Sequence, residues 1–96
     1  METQKTISEW ADEVGIKPDA HRAVARAGEE LHEALEALAA GNKAGAAVEI
    51  ADVVICLNVA ASKLGVDLQA EINAKMQINR NRKWRLDETG CAYHIK

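Results

Sequence analysis

The stretch from Ala47 to Leu64, beginning Ala47-Val48-Glu49-Ile50-Ala51-Asp52-Val53-Val54-Ile55-Cys56-Leu57, is apolar on nearly every side and spans several helical turns. A helix that is hydrophobic all round is normally a buried one. This one carries Glu49 and Asp52, and their spacing puts both carboxylates on one face. An unpaired buried carboxylate costs roughly several kcal/mol, so each needs a cation or must take up a proton. The rest of the chain must supply what neutralises them.

The 96 residues give room for one domain, residues 1–96, with one modest core. Ala, Leu, Val and Ile dominate, Phe is absent, and the aromatic residues are Trp10, Trp84 and Tyr93. No run alternates β-branched and aromatic residues as strands do, so the fold class is all-α. A short chain with an Ala-rich core gains stability by burying further surface, which predicts a homodimer or homotetramer. A net charge of -3 argues against non-specific nucleic-acid binding. Cys56 and Cys91 lie far apart with no framework for pairing, which fits a reducing cytoplasm. The N-terminus has no signal-type apolar stretch, and the run Val53–Ala61 is short and close to Asp52 and Asn58. A soluble, cytoplasmic protein that engages no membrane is expected.

In chain order, Thr6-Ile7-Ser8-Glu9 has the form of a capping box opening a short helix through about Val14. Gly15 stops it, and Gly15-Ile16-Lys17-Pro18-Asp19 is a turn with a Pro near the next helix start. A second helix runs from about Asp19 to Ala40, with Val24, Gly28, Leu31, Leu35 and Leu38 as an apolar seam. Gly41 suits a left-handed cap, and the short connection makes the second and third helices antiparallel neighbours. The third helix, Lys43 to Leu64, ends at Gly65. Asp67 caps a fourth whose Leu68, Ile72, Met76 and Ile78 face inward, and which ends in a basic segment reaching Arg85. The expected architecture is a four-helix unit, with a helical core over about 6–84 and an aperiodic tail over 85–96.

The second helix carries Glu29-Glu30-Leu31-His32-Glu33 and the third carries Glu49 and Asp52. Glu30 and Glu33 share a face, and so do Glu29 and Glu33. Either pair, set against Glu49 and Asp52, gathers carboxylates across one groove. Like charges so placed repel unless they hold a hard divalent cation, and Mg²⁺ suits a site that also binds phosphates. Facing carboxylates are also how helical bundles build metal sites. A plainer account exists for each part. Glu29, Glu33 and Glu36 lie opposite the Leu31 seam, where a solvated acidic face belongs. Glu49 and Asp52 could instead form core ion pairs with Lys75, Arg80 or Arg82. His32 reads as a surface residue and Cys56 as a small apolar one.

The fourth helix gathers Lys75, Arg80, Arg82, Lys83 and Arg85 toward its C-terminus. Cations there complement the helix dipole, and Lys and Arg also clamp phosphates in phosphoryl transfer. Trp84 either stacks on a base or shields the core.

Glu29-Glu30-x-x-Glu33, fifteen residues, then Glu49-x-x-Asp52 resembles the EExxE…ExxD signature of the all-α nucleoside triphosphate pyrophosphohydrolases, the MazG-like superfamily. Lys75-x-x-x-Asn79-x-x-Arg82 resembles that family's phosphate-contacting segment. Arg82-Lys83-Trp84 followed by Gly90 and His94 looks like the small stand-alone members common in bacteriophages, and the match covers about Trp10 to Trp84.

The resemblance implies a MazG-like bundle that oligomerises, with sites often completed across subunits. It makes Glu30, Glu33, Glu49 and Asp52 ligands of Mg²⁺, with Mn²⁺ as a substitute, and Glu29 a ligand or the group that orients the attacking water. Lys75, Asn79 and Arg82 would hold phosphate oxygens, with Trp84 beside the substrate. The implied reaction splits a (d)NTP between the α and β phosphates, giving the monophosphate and pyrophosphate. The chain lacks the aromatic residues of the pyrimidine-specific branches unless Trp10 or Trp84 serves, which favours dNTP with a broad or purine-leaning preference. The flanking pattern of the phosphoribosyl-ATP branch is not seen. The competing reading is a catalytically silent helical module that binds a nucleotide or a protein, its acidic residues paired with Arg and Lys. A structural oligomerisation module gives no reason for Glu49 and Asp52 to be acidic.

Overall fold

The computed structural model describes residues 1–17 and 19–95, so the expected turn role of Pro18 lies outside the described residues. Four helices follow in order: α1 (Gln4–Glu13), α2 (Ala20–Ala39), α3 (Lys43–Lys63) and α4 (Leu68–Arg80). A two-stranded antiparallel hairpin then pairs β1 (Trp84–Leu86) with β2 (Ala92–His94), Trp84 opposite His94.

Short polar residues start each helix. The α1 capping box is Thr3 with Thr6, three residues earlier than the one expected at Thr6 with Glu9. Asp19 accepts from the Arg22 amide at 2.7 Å, and Asp67 caps α4 as expected. Gly41 closes the α2–α3 turn at φ +72°, where a Cβ would be strained.

The α2–α3 hairpin is the body of the molecule. Its seam is not the Leu31 row. Ala23, Ala27, Glu30 and Ala34 are the buried residues of α2, whereas Val24, Leu31, Leu35 and Leu38 are exposed. Alanine lets two backbones come close, and helix spacing is set by the side chains at the contact. The larger side chains are thereby turned to the outer face. α3 likewise buries only Ala46, Val59, Ala60 and Ala61, leaving Val48, Ile50, Val54 and Leu57 open. A helix expected to be buried all round is covered on one side within this chain.

α1 packs on α3 through Ala11, Val59 and Ala60, joined in one cluster by Ala23 of α2, with Ile7 and Ile16 alongside. Gln4 fastens this corner. Its Nε2 donates to the Val66 carbonyl at 2.8 Å, and its Oε1 accepts from the Leu68 amide at 2.8 Å.

α4 buries no residue, and Ile72, Met76 and Ile78 are exposed rather than inward. It makes at most marginal contact with the other helices. It also ends at Arg80, with Asn81 as cap, so Arg82 to Arg85 leave the helix. The expected aperiodic tail contains the hairpin. Its turn is held by Asp87, whose Oδ1 accepts from the Thr89 and Cys91 amides at 2.9 and 3.0 Å. The radius of gyration is 15.8 Å, against about 12 to 13 Å for a compact domain of this length. The projecting α4 and hairpin account for the excess.

Candidate active site

Glu30 is the one charged side chain buried among the described residues, 6% exposed, and it interrupts the alanine stripe of α2. Opposite it, α3 presents Glu49 and Asp52, both half-buried. One carboxylate oxygen from each of the three lies within 4.8 Å of the others. The αα-hairpin geometry makes this meeting, since each helix alone holds its carboxylates on one face and the short turn brings those faces together.

The electrostatics follow from that approach. Glu49 is pushed up to about 7, first by its hydrogen-bonding contact with Glu30, then by burial, then by Glu33. Glu30 is held below the usual carboxylate range by Glu49 first, then by Glu33, with Arg26 adding to it. No donor reaches the buried Glu49 Oε2. Two ionised carboxylates cannot bond each other, so this oxygen is satisfied by a shared proton or by a cation. A buried, orphaned carboxylate oxygen within a three-carboxylate group fits a hard, oxygen-seeking divalent ion such as Mg²⁺ or Mn²⁺.

Glu33 is exposed and sits at the rim, close enough to bear on both Glu30 and Glu49. Glu29 is turned away: it is exposed and accepts from Arg26 at 2.8 Å. Of the two pairings left open by the spacing, the structure therefore brings in Glu30 and Glu33. The core ion pairs with Lys75, Arg80 or Arg82 are not formed, and Glu49 and Asp52 have no ion pair among the described residues. The cation at the group is Arg26, 2.8 Å from Glu30 Oε1. Sequence reasoning passed over it, although its spacing of four from Glu30 was a usable signal. His32 pairs with Glu36 on the surface, as expected. Cys56 is half-buried, with its thiol pushed up mainly by burial, which suits packing rather than nucleophilic work.

A cavity of about 370 Å³ opens beside the carboxylates. Glu30 and Asp52 form one side, Trp10, Ile16, Ile55 and Val59 the apolar walls, and Arg22 and Arg26 reach it as well. Its size and mixed lining are those of a small-molecule pocket. A wider hollow of about 1000 Å³ lies between the start of α1, α3 and α4, and includes none of Glu30, Glu49 or Asp52.

The basic segment stands apart from this group. Lys75 is exposed on α4, Arg82 is half-buried beyond its end, and Asn79 Oδ1 is buried without a partner. Trp84 donates from Nε1 to the Asn79 carbonyl at 2.7 Å and lies against His94 at a ring distance of 6.0 Å. It thus anchors the hairpin to α4 rather than shielding the α2–α3 core.

Residues 2–77 match the family described as phosphoribosyl-ATP pyrophosphohydrolase. A dATP/dGTP diphosphohydrolase from cyanophage S-2L is 34% identical over 94 residues, covering 98% of this chain and 86% of the relative. The fold is also that of a cyanophage S-2L MazG-like pyrophosphohydrolase solved with dGDP and three catalytic Mn²⁺ ions per active site. The TM-score is 0.76 at 32% identity, over 97% of this chain and 93% of that one. The carboxylate group and the all-helical body have a common explanation: the chain belongs to the MazG-like all-α nucleoside triphosphate pyrophosphohydrolases.

Proposed function

We propose that the protein hydrolyses deoxynucleoside triphosphates between the α and β phosphates, releasing a deoxynucleoside monophosphate and pyrophosphate, with a purine-leaning preference. The observation that carries this is the meeting of Glu30, Glu49 and Asp52 at the edge of an apolar cavity. The substrate class draws support from the cyanophage relative, named for dATP and dGTP, and from the dGDP in the cyanophage structure.

Glu30, Glu49 and Asp52 would hold divalent ions, Mg²⁺ with Mn²⁺ as a substitute, and Glu33 would close the set from the rim. Bound there, the metal supplies charge neutralisation for the polyphosphate and a water of lowered pKa. The protein's part is to fix the geometry. Glu49 must give up its proton for the group to bind a cation. The apolar walls, with Trp10 among them, offer the base a dry surface to lie on. Glu29 faces outward toward Arg26, so it would orient the incoming water only after its side chain swings inward.

Lys75, Asn79, Arg82 and Trp84 lie on a helix and hairpin that project from the body, so they would reach phosphates from a second copy of the chain. A homodimer or homotetramer also covers the exposed faces that carry Leu31, Leu35, Val54 and Leu57. α3 is long and apolar enough, by length and composition, to cross a membrane. Its two carboxylates and its packing on α2 instead favour the core helix of a soluble oligomer.

A second reading has one observation in its favour. The Arg26–Glu30 pair is what a catalytically silent module would show, but it leaves Glu49 and Asp52 unpaired. A panel of dNTPs, NTPs and phosphoribosyl-ATP, scored by product, separates the readings. Purine dNTPs giving the highest kcat/KM supports the proposal; turnover of phosphoribosyl-ATP alone replaces the substrate; binding without turnover of any nucleotide supports the silent module.

A further inference from the structure

Arg26 holds a position that the carboxylate group alone does not explain. From its exposed place on α2 the guanidinium reaches back to the seam, its Nη1 donating to the exposed Glu29 and its Nη2 forming an ion pair with the buried Glu30, each at 2.8 Å. Its side chain keeps 63% of its exposure while that of Glu30 keeps 7%. The cation can therefore move without unpacking a helix, and the carboxylate cannot. Arg26 also lines the cavity that Glu30 and Asp52 border.

We propose that Arg26 competes with the divalent cation for Glu30 and passes to the substrate's phosphates when the metal arrives, coupling metal loading to nucleotide binding. This rests on the reading of Glu30, Glu49 and Asp52 as the metal site. Two cations sharing one carboxylate repel, and the repulsion is strongest where water is excluded, as it is around Glu30. The guanidinium then needs another anion. Guanidinium matches phosphate oxygens in a bidentate fork, and a polyphosphate held at the carboxylates would lie beside the cavity that Arg26 lines. The coupling is reciprocal: a nucleotide that draws Arg26 away from Glu30 strengthens metal binding by the same factor by which metal strengthens nucleotide binding.

The opposite role is equally concrete, because a second group bonded to a metal ligand often orients it and raises metal affinity. Titration of the intact protein with Mn²⁺ alone, by calorimetry at one fixed pH, distinguishes them. Arg26→Met removes the charge and keeps the length; Arg26→Lys keeps the charge and loses the fork. Competition predicts that Arg26→Met binds Mn²⁺ roughly tenfold more tightly than wild type. It also predicts that Arg26→Lys stays near wild type, and that KM for a purine dNTP rises in Arg26→Met. An Arg26→Met protein that binds Mn²⁺ as wild type does, or more weakly, overturns the competition and leaves Arg26 as an orienting group. A wild-type protein that binds no Mn²⁺ overturns the metal-site reading itself, and this inference with it.

Discussion

Glu30 of α2 and Glu49 of α3 face each other across the α2–α3 seam so closely that each sets the other's protonation: Glu49 is pushed up to about 7 while Glu30 is held below the usual range. The pair is a proton store at neutral pH and an invitation to a cation.

A pH dependence follows, with a definite sign. Glu49 ordinarily titrates at 4.5 and does so at about 7 in the folded protein, so folding takes up a proton between those values. Its contribution to stability is therefore full below 4.5 and is lost as pH rises through about 7. Glu30 acts the other way, its contribution being lost as pH falls through its lowered value. In chelator, urea midpoints should fall across the Glu49 window, and Glu49→Gln should flatten that fall. A wild-type midpoint that climbs across the window would contradict the pairing.

Neighbouring residues on α2 separate the inner face from the outer. Ala34 is 2% exposed and Leu35 is 58% exposed. Ala34→Leu should overpack the seam and cost about 1–3 kcal/mol in chemical denaturation. If the proposed dimer or tetramer covers this face, Leu35→Lys should leave the hairpin folded and shift sedimentation toward monomer; unchanged sedimentation would remove this face from the interface.

Gln4 gives a third test. Among the described residues it is the side chain that ties α1 to the backbone on both sides of the α3–α4 turn, through Val66 and Leu68. Gln4→Ala should cost about 1 kcal/mol of stability by removing hydrogen bonds to groups that water can partly satisfy. Hydrogen exchange should show the loss first at the Leu68 amide. Unchanged protection there would place the fastening elsewhere.

The limits of α2 and α3, the start of α4 and the acidic constellation were legible in the sequence because they are local. Asp19, Asp67 and Gly41 mark ends by capping chemistry, and carboxylate spacing places charges on faces. Which face lies inside is not local. Leu31, Leu35 and Leu38 outweigh the alanines on any hydrophobicity scale, yet Ala23, Ala27 and Ala34 form the seam because they permit close backbone approach. The same displacement separated Glu30 from Glu29 and hid Arg26, whose role depends on which glutamate is buried. Strands as short as Trp84–Leu86 and Ala92–His94 carry no periodicity to read. Nor does the amphipathic pattern of α4 say that its apolar face is uncovered within a single chain.

Product analysis with dGTP and Mg²⁺, for wild type, for wild type in EDTA, and for Glu49→Gln, tests whether the carboxylate group carries the reaction. Wild type should give dGMP and pyrophosphate, with both controls inactive and Glu49→Gln still folded. No turnover by wild type, or full activity in Glu49→Gln, would contradict the assignment of Glu30, Glu49 and Asp52 as the metal-holding centre of the reaction.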